Sequence, residues 1–308
     1  MIRLLLVKKT CSLFPPFIAQ YIRNKLSSKD SFIKKNIDFK RKSITGSLFQ
    51  GNSIDYHCYP YYFHGYFDWR NVVLANVILK IKTGDIVEIG ANIGTETISY
   101  CDITKEKGNV YAFEPLVQNF NKLNQLKETQ ENLVLINKAL SNKNGIAVFK
   151  VPKSTASGMG KIIPSEFRSN LDIEVEIIKL DDYYNTIANS RLIVIDTEGH
   201  EKQVLEGAIK IITSYKPIVI LEVSLKLLVK YGKSSSREIF DFFKTKNYSV
   251  YIINRFSIKK VSEIEIQSKK AANWICVPSH LIFNISMINK ELFKRAILPW
   301  YLLSPLCK

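Results

Sequence analysis

The chain has 308 residues, 46% of them hydrophobic and 23% charged, so it can bury a substantial core and its composition does not suggest long disorder. Its net charge of +16 is concentrated at the ends, with about +9 in residues 1–50, +6 in residues 255–308 and +1 between them. No window reaches the roughly 18 uninterrupted apolar residues of a membrane span, which excludes a protein threaded through a bilayer.

Cysteine usage and the first residues bear on the compartment. The five cysteines are scattered and form no C-x-x-C pair, so neither a disulfide framework nor a zinc site is predicted. Residues 1–19 imitate a secretion signal, but two lysines and two prolines between positions 8 and 16 break the apolar run. We therefore expect a cytoplasmic protein.

The basic ends predict an anionic partner. A membrane surface, a phosphorylated lipid carrier and an acidic glycan all fit, which would make the protein peripheral at the inner face of the membrane. Solvated charge without a partner explains the same charge equally well. Residues 281–308 mix apolar side chains, Ile282 and Phe283 among them, with Lys290, Lys294 and Arg295. This basic amphipathic tail is expected either to lie on a membrane or to dock on the domain.

Residues 1–70 form a basic lead-in that is rich in aromatic residues. We predict helices and loops here. The thirteen residues from His57 to Trp69, HCYPYYFHGYFDW, are interpreted mainly as core, including His57 and His64. Stacking of these rings against sugar faces is the alternative.

Strand and helix patterns alternate through one domain, residues 71–280. Several predicted strands are continuous apolar runs, which is typical of strands covered on both faces. The predicted strands are Ile86–Ile89, Asn109–Phe113, Leu133–Asn137, Leu192–Asp196, Pro217–Val223, Tyr248–Asn254 and Trp274–Val277, and the predicted helices are Val72–Lys82, Leu116–Thr129, Glu201–Ser214 and Ser236–Lys246. This order predicts a doubly wound α/β fold with a mostly parallel central sheet. Between 146 and 180, short strands around STASGMG predict a small β-rich insertion.

The stretch IVEIGANIG joins the first of these strands to a helix. Gly90 lets the chain turn sharply and lets a ligand approach the backbone, while Gly94 permits close packing of the following helix. A dinucleotide site would prefer G-x-G-x-x-G, whose second glycine makes room for a pyrophosphate, but Ala91 and Asn92 follow Gly90. S-adenosylmethionine (SAM) has no phosphate, and its ammonium group can lie near the strand-end acid Glu88. A plain tight turn is the alternative.

A second acid, Glu114, ends the next strand just before Pro115, 24 positions after Gly90. On such sheets an acid at this place binds the ribose hydroxyls of nucleotide-type ligands. The alternative is an acid that caps the following helix.

Six ordered blocks, EIGANIG, AFEP, NKALSNKNG, KLDDYY, IDTEGHEKQVLEGA and ILEVS, closely resemble the FkbM family of SAM-dependent methyltransferases. The resemblance covers roughly residues 70–255, and it departs at Glu88, where an aspartate is more usual. It implies a Rossmann-like class I methyltransferase fold, SAM as cofactor, and O-methylation of a hydroxyl, often on sugars of surface polysaccharides or on secondary metabolites. It also implies that Asn137, Ala139 and Leu140 line the adenine pocket.

The block IDTEGHE then becomes the expected catalytic edge, since it ends a central strand where open α/β sheets bind ligands. Asp196 is the first choice for contacting the methyl-accepting side, and the general base is one of Asp196, Glu198 and His200. Glu198 could instead orient Asp196 or cap a helix, and His200 could simply be solvated. No metal is predicted, although these acids with Glu222 could hold one.

The expected partner is a carbohydrate or small-molecule hydroxyl acceptor, with no nucleic acid. An RNA methyltransferase is the first alternative because of the net charge, but Asp-Thr-Glu-Gly stands after the fourth strand in place of the proline-aromatic motif of base-methylating enzymes. A catalytically inactive membrane-associated scaffold is the second. The segment Leu180–Tyr183 could help to close the site or could be an ordinary turn.

Overall fold

A computed structural model describes residues 2–281, 284–303 and 306, so Ile282, Phe283 and Cys307 lie outside the described residues. The helices are α1 (Ile2–Ser12), α2 (Pro16–Leu26), α3 (Lys29–Ile33), α4 (Cys58–His64), α5 (Trp69–Ile81), α6 (Thr97–Thr104), α7 (Val117–Lys127), α8 (Glu201–Glu206), α9 (Ile209–Ser214), α10 (Leu225–Lys230), α11 (Ser236–Thr245), α12 (Glu263–Ile266) and α13 (Ile285–Ile297). The strands are β1 (Asp38–Lys42), β2 (Leu48–Asn52), β3 (Asp85–Ile89), β4 (Val110–Phe113), β5 (Leu133–Ile136), β6 (Ala139–Leu140), β7 (Gly145–Lys150), β8 (Lys161–Ile162), β9 (Ile173–Ile178), β10 (Ser190–Ile195), β11 (Ile218–Val223), β12 (Tyr248–Ile253), β13 (Ile258–Lys260) and β14 (Ala272–Pro278).

Eight strands form the central sheet, in the order β13-β12-β14-β11-β10-β3-β4-β5. The five strands from β11 to β5 run parallel, whereas β14 is antiparallel to both β11 and β12. Apolar helix faces cover both sides, since α5, α6 and α13 contribute to one buried cluster and α8, α9 and α11 to the other. The predicted Rossmann-like class I methyltransferase fold with a mostly parallel sheet is confirmed.

The chain reverses its direction across the sheet between β3 and β10. From β3 it proceeds through β4 to β5 on one side, and it later returns to β10 and continues to β11 on the other. Ile89 at the end of β3 pairs with Ile195 at the end of β10. A crevice opens at such a switch point, outside the carboxyl ends of the strands. The two loops that begin with Gly90 and Asp196 border this crevice.

The predicted β-rich insertion is a separate four-stranded sheet, ordered β6-β9-β7-β8. Its apolar side chains, including Phe149, Val175 and Ile177, form a small core of their own with Leu116. The loop between β7 and β8 carries the Ser/Gly stretch and reaches the switch-point crevice.

The lead-in contains a β-hairpin, β1 with β2, where only helices and loops were predicted. The segment DFKRK contains a single apolar residue, Phe39, so it lacks the alternation that would predict a strand. Phe32 and Phe49 are fully buried, and the rings of α4 pack around them. Most of the aromatic cluster is therefore core.

The single helix predicted over Glu201–Ser214 is wrong, because the helix breaks into α8 and α9 at Gly207. A Cβ at Gly207 would lie 1.9 Å from the Ser141 carbonyl oxygen, so only glycine allows this approach. The Gly207 carbonyl accepts from the Asp181 amide at 2.9 Å, and the Asp181 carboxylate accepts from the first amides of α9 at 3.0 Å. Leu180–Tyr183 therefore caps a helix rather than closing the crevice.

The basic tail docks on the domain. Helix α13 buries Ile288, Leu292 and Ala296 and leaves Met287 and Phe293 exposed. Among the helices that the structure describes, none combines the length and hydrophobicity that crossing a bilayer requires.

Candidate functional site

The turn after β3 is shaped by its two glycines and by Asn92. Gly90 has φ 87°, and a Cβ there would lie 2.0 Å from the Asp196 carbonyl oxygen. Glycine thus lets the β3 and β10 loops touch, a role beyond the predicted approach of a ligand. Gly94 has φ 85° and packs against Leu126 of α7. Asn92 adopts the left-handed conformation at φ 52°, which asparagine tolerates better than most residues.

Glu114 holds this turn in place. Its Oε2 accepts from the Asn92 amide at 2.8 Å, and its Oε1 accepts from the Leu116 amide at 2.9 Å. Burial raises the pKa of Glu114 to about 7. A long bond from Asn119 Nδ2 also reaches its Oε1, at 3.5 Å. A carboxylate has about four lone-pair sites, so Glu114 keeps capacity for a further donor such as a ribose hydroxyl. The capping role and a ligand-binding role are compatible.

A small cavity of about 50 Å³ lies between the central sheet and the insertion. The predicted residues on its wall are Gly90, Asn92, Glu114, Pro115, Ala139, Leu140, Asp196 and His200. Asn137 is not on this wall, because its side-chain amide donates to the Glu114 and Pro115 carbonyl oxygens at 2.8 and 3.1 Å and so braces the loop from behind. The opposite wall comes from Ser157, Gly158 and Lys161 of the insertion, which sequence reasoning missed.

A large cavity of about 650 Å³ adjoins the small one. It is lined by the predicted Glu88, Gly90, Ala91, Asn92, Asp196 and Glu198, and by Tyr56, His57, Phe67, Glu96, Glu222, Asn254 and Arg255. Gly90, Asn92 and Asp196 face both cavities, so the two meet at the switch point. Gly94 lines neither cavity.

Glu88 is buried in β3 and contributes to the wall of the large cavity. Burial raises the pKa of its carboxyl well above the ordinary value; the nearby Thr97 hydroxyl acts in the opposite direction and Glu96 in the same one. Its Oε2 has no hydrogen-bond partner among the described residues. A buried acid with an unsatisfied oxygen is suited to a cationic or hydrogen-donating group, because such a group stabilises its ionised form.

Three carboxyl groups converge at the base of the large cavity. One oxygen from each of Asp196, Glu198 and Glu222 lies within 4.8 Å of the other two. Glu198 is aimed there by a left-handed backbone at φ 54°, and Lys161 Nζ lies 3.3 Å from its Oε2. Oxygen ligands at this spacing could hold a divalent cation.

The protonation of this cluster suits proton transfer. Burial, followed by repulsion from Glu222 and Glu198, raises the pKa of Asp196 well above its ordinary value. Asp196 is exposed to the solvent of the cavity, and the protein around the cavity raises its pKa by limiting its hydration. Burial and repulsion from Glu198 raise the pKa of Glu222 to about 7. Carboxyl groups that gain and lose a proton near neutral pH can act as general bases.

His200 does not join this cluster. His200 lies on the wall of the small cavity and does not line the large one. Its Nε2 lies 2.9 Å from Ser141 Oγ. Burial lowers the pKa of His200 to about 4, so the ring is neutral at physiological pH. Glu201 instead holds the loop after β10, accepting from the Thr197 and Gly199 amides at 3.2 and 3.0 Å.

Asp55 and His57 form a buried pair near the large cavity that was not predicted from the sequence. His57 Nδ1 lies 3.2 Å from Asp55 Oδ1, and both side chains are buried. The ring packs against Gly158 of the insertion, where a Cβ would lie 2.4 Å from His57 Nε2. The pair is more than 130 positions from Asp196 and lies within an aromatic run, so only its contacts in the fold could reveal it.

The profile of the Methyltransferase FkbM domain matches residues 88–250. The chain is 25% identical over 152 residues to the hexuronic acid methyltransferase AglP of Haloferax volcanii, a match that covers 48% of this chain and 60% of the relative. A crystal structure of methyltransferase FkbM from Methylobacillus flagellatus KT is 12% identical, with a TM-score of 0.42, covering 89% of this chain and 59% of that one. The fibrillarin pre-rRNA processing protein of Methanococcus jannaschii is 16% identical, with a TM-score of 0.37, covering 64% and 67%.

Proposed function

This chain belongs to the FkbM methyltransferase family, and we propose that it transfers the methyl group of SAM to a hydroxyl group of a sugar in a polysaccharide or glycolipid. One observation carries the proposal: Asp196 faces both the small and the large cavity, at the point where they meet. A donor in one cavity and an acceptor in the other would therefore react beside a carboxyl group with a raised pKa. A hydroxyl of a secondary metabolite is an acceptor of the same chemistry.

The residues where the two cavities meet suit SAM, with Glu88 on the wall of the large cavity and Glu114, Ala139 and Leu140 on the wall of the small one. The left-handed turn at Asn92 and the buried, partly unsatisfied Glu88 suit the amino-acid end of SAM, whose ammonium group would satisfy the free oxygen. Glu114 retains acceptor sites for ribose hydroxyls. Ala139 and Leu140 offer an apolar wall for adenine, and the insertion would cover the other side. When bound, SAM supplies an electrophilic methyl group on a sulfonium.

The protein's own contribution is alignment and proton acceptance. Holding two reactants in line can supply roughly 7–11 kcal/mol of the barrier. A sugar hydroxyl is overwhelmingly protonated at neutral pH, so a base adds about 10² to 10⁴ in rate. Asp196 is the proposed base, with Glu222 raising its pKa by repulsion and Glu198 held by Lys161.

The large cavity favours a sugar over a nucleic acid. Glu96, Asn254 and Glu222 offer hydrogen-bond partners for several hydroxyls, and Tyr56 and Phe67 offer aromatic surface. The acids that converge at its base would repel a phosphate backbone, which RNA-binding surfaces instead meet with basic residues. The similarity to a hexuronic acid methyltransferase supports a carbohydrate acceptor.

Two measurements test the proposal. Titration of SAM into the purified protein by calorimetry is expected to release heat with one site per chain; the absence of heat would overturn every methyltransferase hypothesis, including this one. With labelled SAM, label should enter cell-envelope glycans or glycolipids. Label that enters bulk RNA and never glycans would replace the sugar hypothesis by the RNA alternative.

A further inference from the structure

The two basic ends of the chain meet in the fold. Helix α2 contacts both α1 and α13, although more than 250 residues separate α2 from α13. Three rings join the ends, since Phe256 lies 5.7 Å from Phe17 of α2 and 6.1 Å from Phe293 of α13. We call the exposed faces of α1, α2 and α13, with Phe256, the terminal-helix surface.

Large apolar side chains remain exposed on this surface. Leu6 is 60% exposed, Phe17 44%, Tyr21 64% and Phe293 50%. Single exposed apolar residues are common on soluble proteins, but neighbouring ones on adjoining helices mark an interaction site. Meanwhile Leu4, Val7 and Ala19 on the inner faces are buried, so α1 and α2 are held on the domain and present their outer faces.

The charge on the terminal-helix surface is of one sign. Residues 2–26 contain five lysines and arginines and no acidic residue. On α13, Lys290 and Lys294 are exposed. The one acid of this helix, Glu291, accepts a hydrogen bond from Arg295 Nε at 2.8 Å. Apolar groups among cations, without acids, complement an anionic bilayer, where each well-placed basic residue contributes about 1 kcal/mol. A second copy of the chain would bring a like-charged surface instead.

The terminal-helix surface contacts the wall of the large cavity through Arg255. Arg255 lines this cavity, and its guanidinium lies over the Phe17 ring at 4.9 Å from the centroid. Phe256, the next residue, contacts both α2 and α13. A bilayer that touches the terminal-helix surface would therefore lie close to the Arg255 side of the large cavity.

We propose that the terminal-helix surface binds an anionic membrane and that the acceptor sugar enters the large cavity while attached to a lipid. The second half rests on the proposed methyl transfer to sugars, whereas the first half stands without it. Apolar side chains enter the interface, lysines meet the lipid phosphates, and the cavity faces a headgroup of sugar residues.

Vesicle flotation tests the first half. The full chain should bind vesicles of 30% phosphatidylglycerol in phosphatidylcholine at low salt and should bind pure phosphatidylcholine at least tenfold more weakly. The double variant Phe17→Glu/Phe293→Glu should lose at least tenfold in binding, and Lys290→Glu/Lys294→Glu should lose several-fold. Leu171→Glu is the matched control, because Leu171 is 82% exposed on the insertion and should bind like the wild type. Equal vesicle binding by all variants, or no binding by the wild type, would refute membrane binding by the terminal-helix surface.

SAM calorimetry without vesicles separates the two halves. The Phe17→Glu/Phe293→Glu variant should retain the SAM affinity of the wild type within about twofold, which also reports that it is folded. Vesicle binding without SAM binding would refute the proposed function and leave the surface intact. Sedimentation gives the remaining outcome: if the wild type forms a dimer, does not bind vesicles, and loses the dimer in the double variant, the surface binds a second copy of the chain. That result would overturn the proposed membrane binding.

The second half is tested by the fate of label. Labelled methyl transferred from SAM to a crude membrane extract should partition into the organic phase of a chloroform–methanol extraction. Label found only in water-soluble glycans would overturn a lipid-attached acceptor while leaving methyl transfer intact.

Discussion

The small and the large cavity are built in different ways. The turns that directly follow β3, β4 and β5 form about half of the small cavity's wall, and the insertion and the residues after β10 form the rest. The large one draws on the lead-in, the central sheet and the residues after β12, which lie up to about 200 positions apart. Consecutive blocks of sequence therefore predict one side of the small cavity, whereas the walls of the large one depend on contacts between distant segments.

The largest expected effect is at the boundary of the two cavities. Asp196→Asn keeps the shape of the side chain but removes the proposed base, so kcat should fall by about 10² to 10⁴. SAM affinity should change by less than about threefold, because Asn retains the backbone contacts of the loop. Rates measured at saturating SAM, with Glu128→Gln on the exposed end of α7 as control, check this. Equal losses in SAM affinity and kcat would instead place Asp196 in the donor site.

A second change tests the contact between the β3 and β10 loops. Gly90→Ala places a methyl group 2.0 Å from the Asp196 carbonyl oxygen at a positive φ, so the two loops must separate. We expect a loss of roughly 3 kcal/mol in the free energy of unfolding and weaker SAM binding. Gly145→Ala shares the positive φ but has open space around it, so it should cost less and leave SAM binding unchanged. Indistinguishable denaturation midpoints would contradict a steric junction.

The acidic wall of the large cavity should make stability depend on pH. Burial, followed by repulsion from Asp68, raises the pKa of Glu96 to about 7 in the folded chain. The folded carboxyl therefore holds its proton more tightly than the unfolded one. Its contribution to the free energy of unfolding is fully present below about pH 4.5, the pKa in the unfolded chain, and is lost as pH rises towards 7. Glu96→Gln keeps the side-chain size and should remove roughly 2 kcal/mol of this dependence. Thermal unfolding of both proteins at pH 5 and pH 8 is the check; parallel slopes would refute the assignment.

The smallest effect is expected for His200, a residue of the small-cavity wall. His200→Ala removes one hydrogen bond to Ser141 and leaves the large cavity untouched. Since the ring is already neutral above about pH 4, kcat should stay within about threefold and its pH profile should keep its shape. Steady-state rates from pH 6 to 9 decide the matter. A profile that loses its titration would make His200 the base.

The sequence predicted what depends on neighbours along the chain. Continuous apolar runs identified the central strands, and the glycine turn with Glu114 identified the small cavity. Contacts distant in sequence escaped prediction: Gly207 breaks a helix because Ser141 approaches it, Lys161 reaches Glu198 from another sheet, and Asn137 braces a loop instead of lining a cavity. None of these roles has a local pattern.

The role of Asp196 as the base is tested most directly through its electrostatic interaction with Glu222. Burial, followed by repulsion from Glu222, raises the pKa of Asp196, and a base is active only when deprotonated, so the wild-type rate should rise with pH to a plateau. Glu222→Gln removes the repelling charge and should shift the half-maximal pH of kcat downward, by about one unit, at saturating SAM and acceptor. A profile that shifts upward, or a wild-type rate that is flat from pH 5.5 to 9, would contradict Asp196 as the base.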